Sequence, residues 1–332
     1  MMELLKLEKN WAIPHAVIAL ICGTLPFVLD VSGVNLAIEI VCFITLAQMW
    51  NLLAGYAGLM SIGQQLFVGI GGYTLFLTTI TFQLPIITTI PLSGLASAVV
   101  SIPAIWLCMR LQGPYFAIAT WVIAEAVMLL FSKLSFLGGA SGLSLPISVV
   151  RDLSTDADTR SIIFWGLASS LMLISTFSTH LLLRTRYGLA LTAIRDNQEG
   201  ARSVGVNERQ VRISIFILTA FFTGLAGAIL FLQKLRISPS AAFDLSDFTA
   251  TVIFIVVIGG IGHLESAFVG TLVYFAMRSY LSELGPIYLM LLGTLAILMM
   301  LFAPAGIWGA VNKRFDISIF STRRLYTNTE SH

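Results

Sequence analysis

The chain has 332 residues, of which 57% are apolar and only 11% charged, with a formal net charge of +2. Soluble domains carry roughly 25% charged residues, so this chain cannot cover a water-facing surface and its solvent must be lipid. No basic patch interleaved with aromatics suggests nucleic acid, and no His-Glu-x-x-His or matched Ser, His and Asp set suggests an intramembrane enzyme.

A helix needs about 20 apolar residues to cross a bilayer. In chain order, apolar runs predict spans at 13–29, 34–54, 64–82, 86–110, 113–134, 161–184, 210–232, 247–262, 264–284 and 286–303. The fold class expected is therefore an all-α polytopic membrane protein of about ten helices. The first and eighth runs are short. The first follows Lys6 and Lys9 without a small-x-small cleavage site, so it reads as a retained span. Cys22, Cys42 and Cys108 stand singly in apolar runs with no ligand spacing, and they read as small hydrophobes.

Polar residues at membrane depth mark the parts of such a chain that carry function. The stretch Asn51-Leu-Leu-Ala-Gly-Tyr-Ala-Gly-Leu-Met-Ser-Ile-Gly-Gln-Gln65 is the most polar of these. Its glycines interrupt a helix and free backbone N–H and C=O groups, which are tolerated only inside protein or against a wet cavity. Asn51, Ser61 and Gln64, with Thr120 and Glu125 of the fifth span, are the expected lining of a solute path. The structural alternatives are close packing at the glycines and an inter-helix hydrogen bond at Glu125. Glu39, nearer a span end, reads as structural, Arg278 as snorkelling, and His263 and Glu265 as interfacial or partner-facing.

Tyr187 to Arg212 is the longest polar segment. With Arg186 it holds five of the 19 Lys and Arg residues. Ten crossings place it, Arg110 and the Lys313, Arg314, Arg323, Arg324 tail on the cytoplasmic side, as the positive-inside rule requires. The opposite connection at 135–160 sets Asp152, Asp156 and Asp158 against Arg151 and Arg160, with no basic excess. Residues 1–12 and 304–332 are then cytoplasmic ends flanking a permease domain at 13–303. Within 187–212, an amphipathic helix would place Ile194, Ala201 and Gly205 on one face, with Arg195, Asp196 and Glu199 elsewhere.

A candidate internal repeat also shows. Phe67-Val68-Gly69 with Tyr73 recurs as Phe268-Val269-Gly270 with Tyr274, and Pro85 and Pro103 recur as Pro286 and Pro304. Each copy follows a glycine-rich break, as in transporters built from repeats with broken helices.

Asn51-Leu-Leu-x-Gly-Tyr-Ala-Gly-x-x-Ser-x-Gly63 resembles the signature of the LivM-type permeases of branched-chain amino acid ABC transporters. The likeness continues through Phe67-x-Gly-x-Gly-x-Tyr73, Gly113-Pro-Tyr-Phe-Ala-Ile118, Gly138-Gly-Ala-Ser-Gly-Leu143 and Val257-Ile-Gly-Gly-Ile-Gly262. Tyr187-Gly-x-Ala-Leu-x-Ala-Ile-Arg-Asp-Asn197, with the Glu199-x-Ala201-x-x-x-Gly205 spacing, is similar to the family's ATPase-coupling loop. The resemblance implies an importer of the bacterial inner membrane with a second homologous LivH-type permease, two cytoplasmic ATPase subunits and a periplasmic solute-binding protein. It implies that Arg195, Asp196, Asn197, Glu199, Ala201 and Gly205 serve ATPase coupling. No phosphate-cradling Gly-x-x-x-x-Gly-Lys-Ser/Thr is present, so ATP and Mg are expected on the partners and no cofactor or metal on this chain. Gln64 stands where the family usually shows histidine, which leaves the solute open among branched-chain amino acids, urea, short amides and aromatic acids. The rival classes are an ion-coupled carrier or channel, which needs a titratable relay or coordinating ring, and a non-transporting scaffold.

Overall fold

A computed structural model describes residues 12–146, 156–281, 286–303, 305–315 and 319–320. Lys6, Lys9, Arg151, Asp152, Pro304, Arg323 and Arg324, weighed above for topology or repeat, lie outside them. The described chain is helical almost throughout: α1 (Ala12–Thr24), α2 (Val31–Asn51), α3 (Gln64–Phe82), α4 (Ile86–Cys108), α5 (Pro114–Lys133) and α6 (Ala157–Arg184). Two short polar helices follow, α7 (Arg186–Asp196) and α8 (Gln198–Ser203). The chain then returns through α9 (Glu208–Lys234), α10 (Thr251–Gly259), α11 (Glu265–Leu281), α12 (Pro286–Phe302) and α13 (Gly306–Phe315).

Every expected span has a helical counterpart, and the protein is an all-α, multi-pass membrane protein. Eight helical stretches among the described residues are long and apolar enough to cross, with Ile13–Phe27 shorter and α11 only 17 residues long. The eighth span differs from expectation. It runs Pro239–Gly259, 21 residues, because a helical turn at Pro239–Ala242 and a π-turn at Leu245–Ala250 precede α10. Ser240, Ser246 and Asp247 lie in those turns and Asp244 caps the second, so the continuous apolar run begins only after them.

Burial sorts the helices into a core and a rim. Of the apolar windows, 83% is buried in both Val31–Tyr56 and Glu208–Lys234, against 22% in Pro114–Lys133 and 12% in Met290–Phe315. Helices α3, α4 and α9 approach closely because small residues line their contacts. A methyl group on Gly71 would overlap the Gly224 carbonyl, and one on Gly227 would overlap that of Val68. Ser97 on α4 closes over Gly224 and donates to the Phe67 and Ser93 carbonyls at 3.2 and 3.0 Å. The three cysteines are buried thiols, as expected.

Contacts also fix direction. Gln233, at the end of α9, donates to the Asn35 carbonyl at the start of α2 (2.9 Å), so these central helices are antiparallel. Each is followed by a broken connection. After α2 a π-turn at Leu52–Tyr56 leads into irregular backbone up to Gly63, and after α9 come residues 235–250. The connections face each other, since Gln65 N–H donates to Thr249 Oγ1 (3.1 Å) and a methyl on Gly69 would overlap the Phe243 ring. The repeat read from Phe67 and Phe268 pairs α3 with α11, which both lead away from the α7–α8 end. The broken units that oppose one another, α2–α3 and α9–α10, run antiparallel instead.

At the end remote from α7 and α8, Leu143 and Ser144 pair antiparallel with Ile237 and Arg236. Gly142 (φ +77°) lies so close to the Ile237 carbonyl that no side chain fits. The 135–146 and 233–247 connections thus form one surface.

The glycine contacts yield a stability prediction. Gly71→Ala forces α3 and α9 apart and should cost about 1–3 kcal/mol, whereas Gly166→Ala, with nothing within 4 Å, should be neutral or stabilising by up to about 1 kcal/mol. Thermal unfolding of both variants in detergent measures the difference, and equal midpoints would contradict this packing.

Candidate functional site

The site begins where α2 ends. Asn51 is 1% exposed, and its amide spans a second, glycine-rich break at Gly259–Gly262, between α10 and α11. Nδ2 donates to the His263 carbonyl at 2.7 Å, while Oδ1 accepts from Gly262 N–H at 2.8 Å. Gly55 lies against the same segment, and a side chain there would meet Gly262 N at 2.7 Å. Two interrupted helices therefore satisfy each other's loose backbone groups, as a lipid-embedded break demands. Gly262 needs no side chain for another reason, since its φ of +88° lies in the left-handed region.

Beyond Gly58 the chain turns back into the bundle. Trp50 Nε1 donates to the Ser61 carbonyl (2.8 Å), and Ile62 N–H to Thr120 Oγ1 (3.1 Å). Ser61 Oγ accepts from Gly63 N–H at 3.3 Å. Gln64 opens α3 at the level of Leu46, donating through Nε2 to the Leu46 carbonyl (3.0 Å) and to Thr223 Oγ1 (3.2 Å). Beside it, Thr249 Oγ1 donates to Gln65 Oε1. Gln64 Oε1 and Gln65 Nε2 are buried with no hydrogen-bond partner among the described residues. One acceptor and one donor thus stand open between the two broken connections.

Four of the five expected path residues, Asn51, Ser61, Gln64 and Thr120, surround this re-entrant turn. Glu125 does not join them. It lies on the outward side of the rim helix α5, where Oε1 accepts from Trp121 Nε1 one turn away at 3.1 Å, and it is not aimed at the polar interior. Residues 120 and 125 are five apart, so they point to different sides of the helix. Gln65 ends the polar stretch read from the sequence, whereas Gln48, Thr223 and Thr249 are not read there as part of a site. Gln48 bonds Thr176 Oγ1 at 2.8 Å and accepts from Ser175 Oγ at 3.2 Å. A lone amide deep in an apolar run was the available signal for it. Arg278 does more than snorkel, since its Nη1 meets Glu39 Oε1 at 2.7 Å. Glu265 is buried and accepts from Phe320 N–H at 2.8 Å.

The polar segment is two helices, not one. Thr185, Asn197 and Asn207 each cap a helix, accepting from Tyr187, Gly200 and Gln210 N–H at 3.3, 2.9 and 3.2 Å. The cap at Asn197 breaks the single amphipathic face expected from spacing. Ile194 and Ala201 still point inward and are buried, whereas Gly205 lies beyond the end of α8 in open space, with φ +85°. There it ends the helix, its N–H bonded to the Arg202 carbonyl at 3.0 Å. Asp196, Asn197 and Glu199 are exposed together with Gly205. Arg195 reaches inward: its Nη1 donates to the Gly55 carbonyl at 2.7 Å, and its Nε pairs with Asp196 at 2.8 Å. A cavity of about 240 Å³ separates this layer from the re-entrant turn, lined by Gly58, Met60, Phe116, Ile194, Arg195 and Arg212 among others.

Asn51→Ala should take the Asn51 partner from Gly262 N–H, costing about 1–3 kcal/mol, while the His263 carbonyl keeps its bond from Ser266 Oγ at 2.6 Å. Asn51→Asp keeps the acceptor but not the donor and should fall between. The check is thermal unfolding of both variants, and an Asn51→Ala protein as stable as the parent would remove the clamp from the account.

Compared with known proteins, residues 33–304 match the family model for the permease component of branched-chain amino acid transport systems. The high-affinity branched-chain amino acid transport system permease proteins LivM of Salmonella typhimurium and Escherichia coli are each 28% identical, covering 85% of this chain and 71% of the relative. A probable LivM of Methanocaldococcus jannaschii is 27% identical over 60% of this chain and 61% of its own. A probable LivH from the same organism is 28% identical over 30% of this chain and 33% of its own. No solved structure matches. The family match spans both broken connections, the Asn51 clamp and the α7–α8 layer, and the chain belongs to the branched-chain amino acid transport system permease family.

Proposed function

We propose that this protein is one permease subunit of an ATP-driven importer in a bacterial inner membrane, carrying branched-chain amino acids or a related small amino acid, amide or carboxylate. The partners are a LivH-type permease, two cytoplasmic ATPase subunits that use ATP and Mg, and a periplasmic solute-binding protein. One observation carries the reading: Arg195, on the polar layer, is bonded to the carbonyl of Gly55 inside the first helix break. An ATPase pressing on α7 and α8 has a two-bond route through Gly55 and Asn51 to the second break. Coupling then requires that the ATPase bind the two arrangements of these breaks with different affinity.

The charge distribution supports a cytoplasmic α7–α8 face. Arg110 lines a cavity together with Arg202, Arg209 and Arg212, and the helix carrying Lys313 and Arg314 packs by Gly306 against Gly260 near the Asn51 clamp. Basic groups thus crowd one end, as short cytoplasmic connections do. The paired 143–144 and 236–237 strands at the other end suit contact with the solute-binding protein. Between the 52–63 and 235–250 connections, Gln64 Oε1 can accept from an ammonium group and Gln65 Nε2 can donate to a carboxylate, the two ends of an amino acid.

Uptake of labelled leucine into vesicles containing the whole complex should persist on ATP when the proton gradient is collapsed. Its abolition there would favour an ion-coupled carrier. Gly205→Val puts a β-branched residue at φ +85°, costing about 1–2 kcal/mol at the corner, whereas asparagine tolerates that region. ATP-driven uptake should drop several-fold in Gly205→Val and stay near parental in Gly205→Asn, with both complexes assembled. Full uptake in the valine variant would show that this corner transmits nothing.

A further inference from the structure

A second cavity, of about 640 Å³, lies where the end of α4 meets α8 and the start of α9. Four arginines (Arg110, Arg202, Arg209 and Arg212) line it against the single carboxylate of Glu208. That carboxylate is already engaged. Arg202 Nη2 and Arg212 Nη1 pair with it at 2.6 and 2.5 Å, and Gln198 Nε2 donates to it at 2.7 Å. Arg110 and Arg209 have no acidic partner among the described residues, and Arg212 Nε is buried without a hydrogen-bond partner. The cavity therefore holds more positive charge than it neutralises, with Gln112 and Asn207 as further polar groups on its wall.

Its outer edge is apolar and faces away from the bundle. Leu95, Val99, Ile102 and Trp106 are spaced by four, three and four residues on α4, so they form one stripe. Each is more than half exposed, Trp106 at 65%. The stripe ends at Arg110, with the tryptophan one turn before it, the order found where a span leaves the hydrocarbon for the headgroup layer. Anionic headgroups bind in such basic pockets between membrane helices, and arginine forks match phosphate oxygens.

We propose that this cavity binds the phosphate of an anionic phospholipid from the adjoining leaflet, with an acyl chain along the Leu95–Trp106 stripe. The lipid bridges α4 to the corner between α8 and α9, and so ties the polar layer to the bilayer. The site is independent of the transport reading, since it needs only the charge and the membrane.

The test uses the full chain purified with its partner subunits, delipidated, and titrated with phosphatidylglycerol, phosphatidylcholine or inorganic phosphate under native mass spectrometry. Phosphatidylglycerol should be retained and phosphatidylcholine should bind at least about tenfold more weakly. Arg110→Ala/Arg209→Ala should lower phosphatidylglycerol binding about tenfold or more, while Arg110→Lys/Arg209→Lys, which keeps charge should the alanine pair misfold, retains most of it. Arg186→Ala, on the same polar layer but outside the cavity, should bind as the parent does. Equal binding of phosphatidylcholine, equal loss in Arg186→Ala, or failure of the titrated complex to retain phosphatidylglycerol would each overturn the proposal. Complete displacement by millimolar inorganic phosphate would overturn it too, assigning the site to the free anion.

Discussion

A helix interrupted inside a bilayer leaves backbone donors and acceptors that no water can satisfy, and every distinctive feature of this protein answers that constraint. Asn51 answers it at the second break by giving one hydrogen bond and taking another from the same backbone turn. Arg195 answers it at the first break by capping the Gly55 carbonyl from outside the bundle. Trp50 and Thr120 do the same for Ser61 and Ile62. The partners come from three helices, Trp50 and Asn51 from α2, Thr120 from α5 and Arg195 from α7, so the breaks are tied to each of them.

This arrangement explains how a small polar layer is mechanically tied to a large apolar body. Helices α7 and α8 are too short to persist alone, since isolated helices below about 12–15 residues are marginal in water. They are held by two polar caps, Thr185 and Asn197, by burial of Leu191, Ile194 and Ala201, and by the Glu208 cluster of Gln198, Arg202 and Arg212. The outward surface left over carries Asp196, Asn197, Glu199 and Gly205, a polar face suited to a protein partner. Ala201 belongs to the inward side, where its small size lets α8 lie close to the bundle.

The rim tells a complementary story. Helices α5 and α12 and the outer side of α4 bury little of themselves, so lipid or a second subunit must cover them. Helices α3, α4 and α9 are packed through glycine contacts that leave no room for a methyl group. Rigid interior helices around a hydrogen-bonded pair of breaks, within a softer apolar rim, is the architecture expected where motion is confined to the breaks.

Composition and periodicity by themselves determined that lipid is the solvent, where the helices run, and that 51–65 and 187–212 are the two unusual stretches, because transfer free energy and charge depend on residue type alone. The family membership was legible too, in motifs whose order and spacing survive in one dimension. Tertiary structure alone decided which polar groups meet. That Asn51 belongs to Gly262, Arg195 to Gly55 and Glu39 to Arg278, and that Glu125 faces outward with Trp121, follows from helix rotation and depth within the bundle. Those are set by packing among distant segments, where glycines and serines permit close approach, and an apolar run carries almost no record of them. The same holds for the cap at Asn197, where one side-chain hydrogen bond turned a single expected amphipathic helix into two and moved Gly205 from its face to its end.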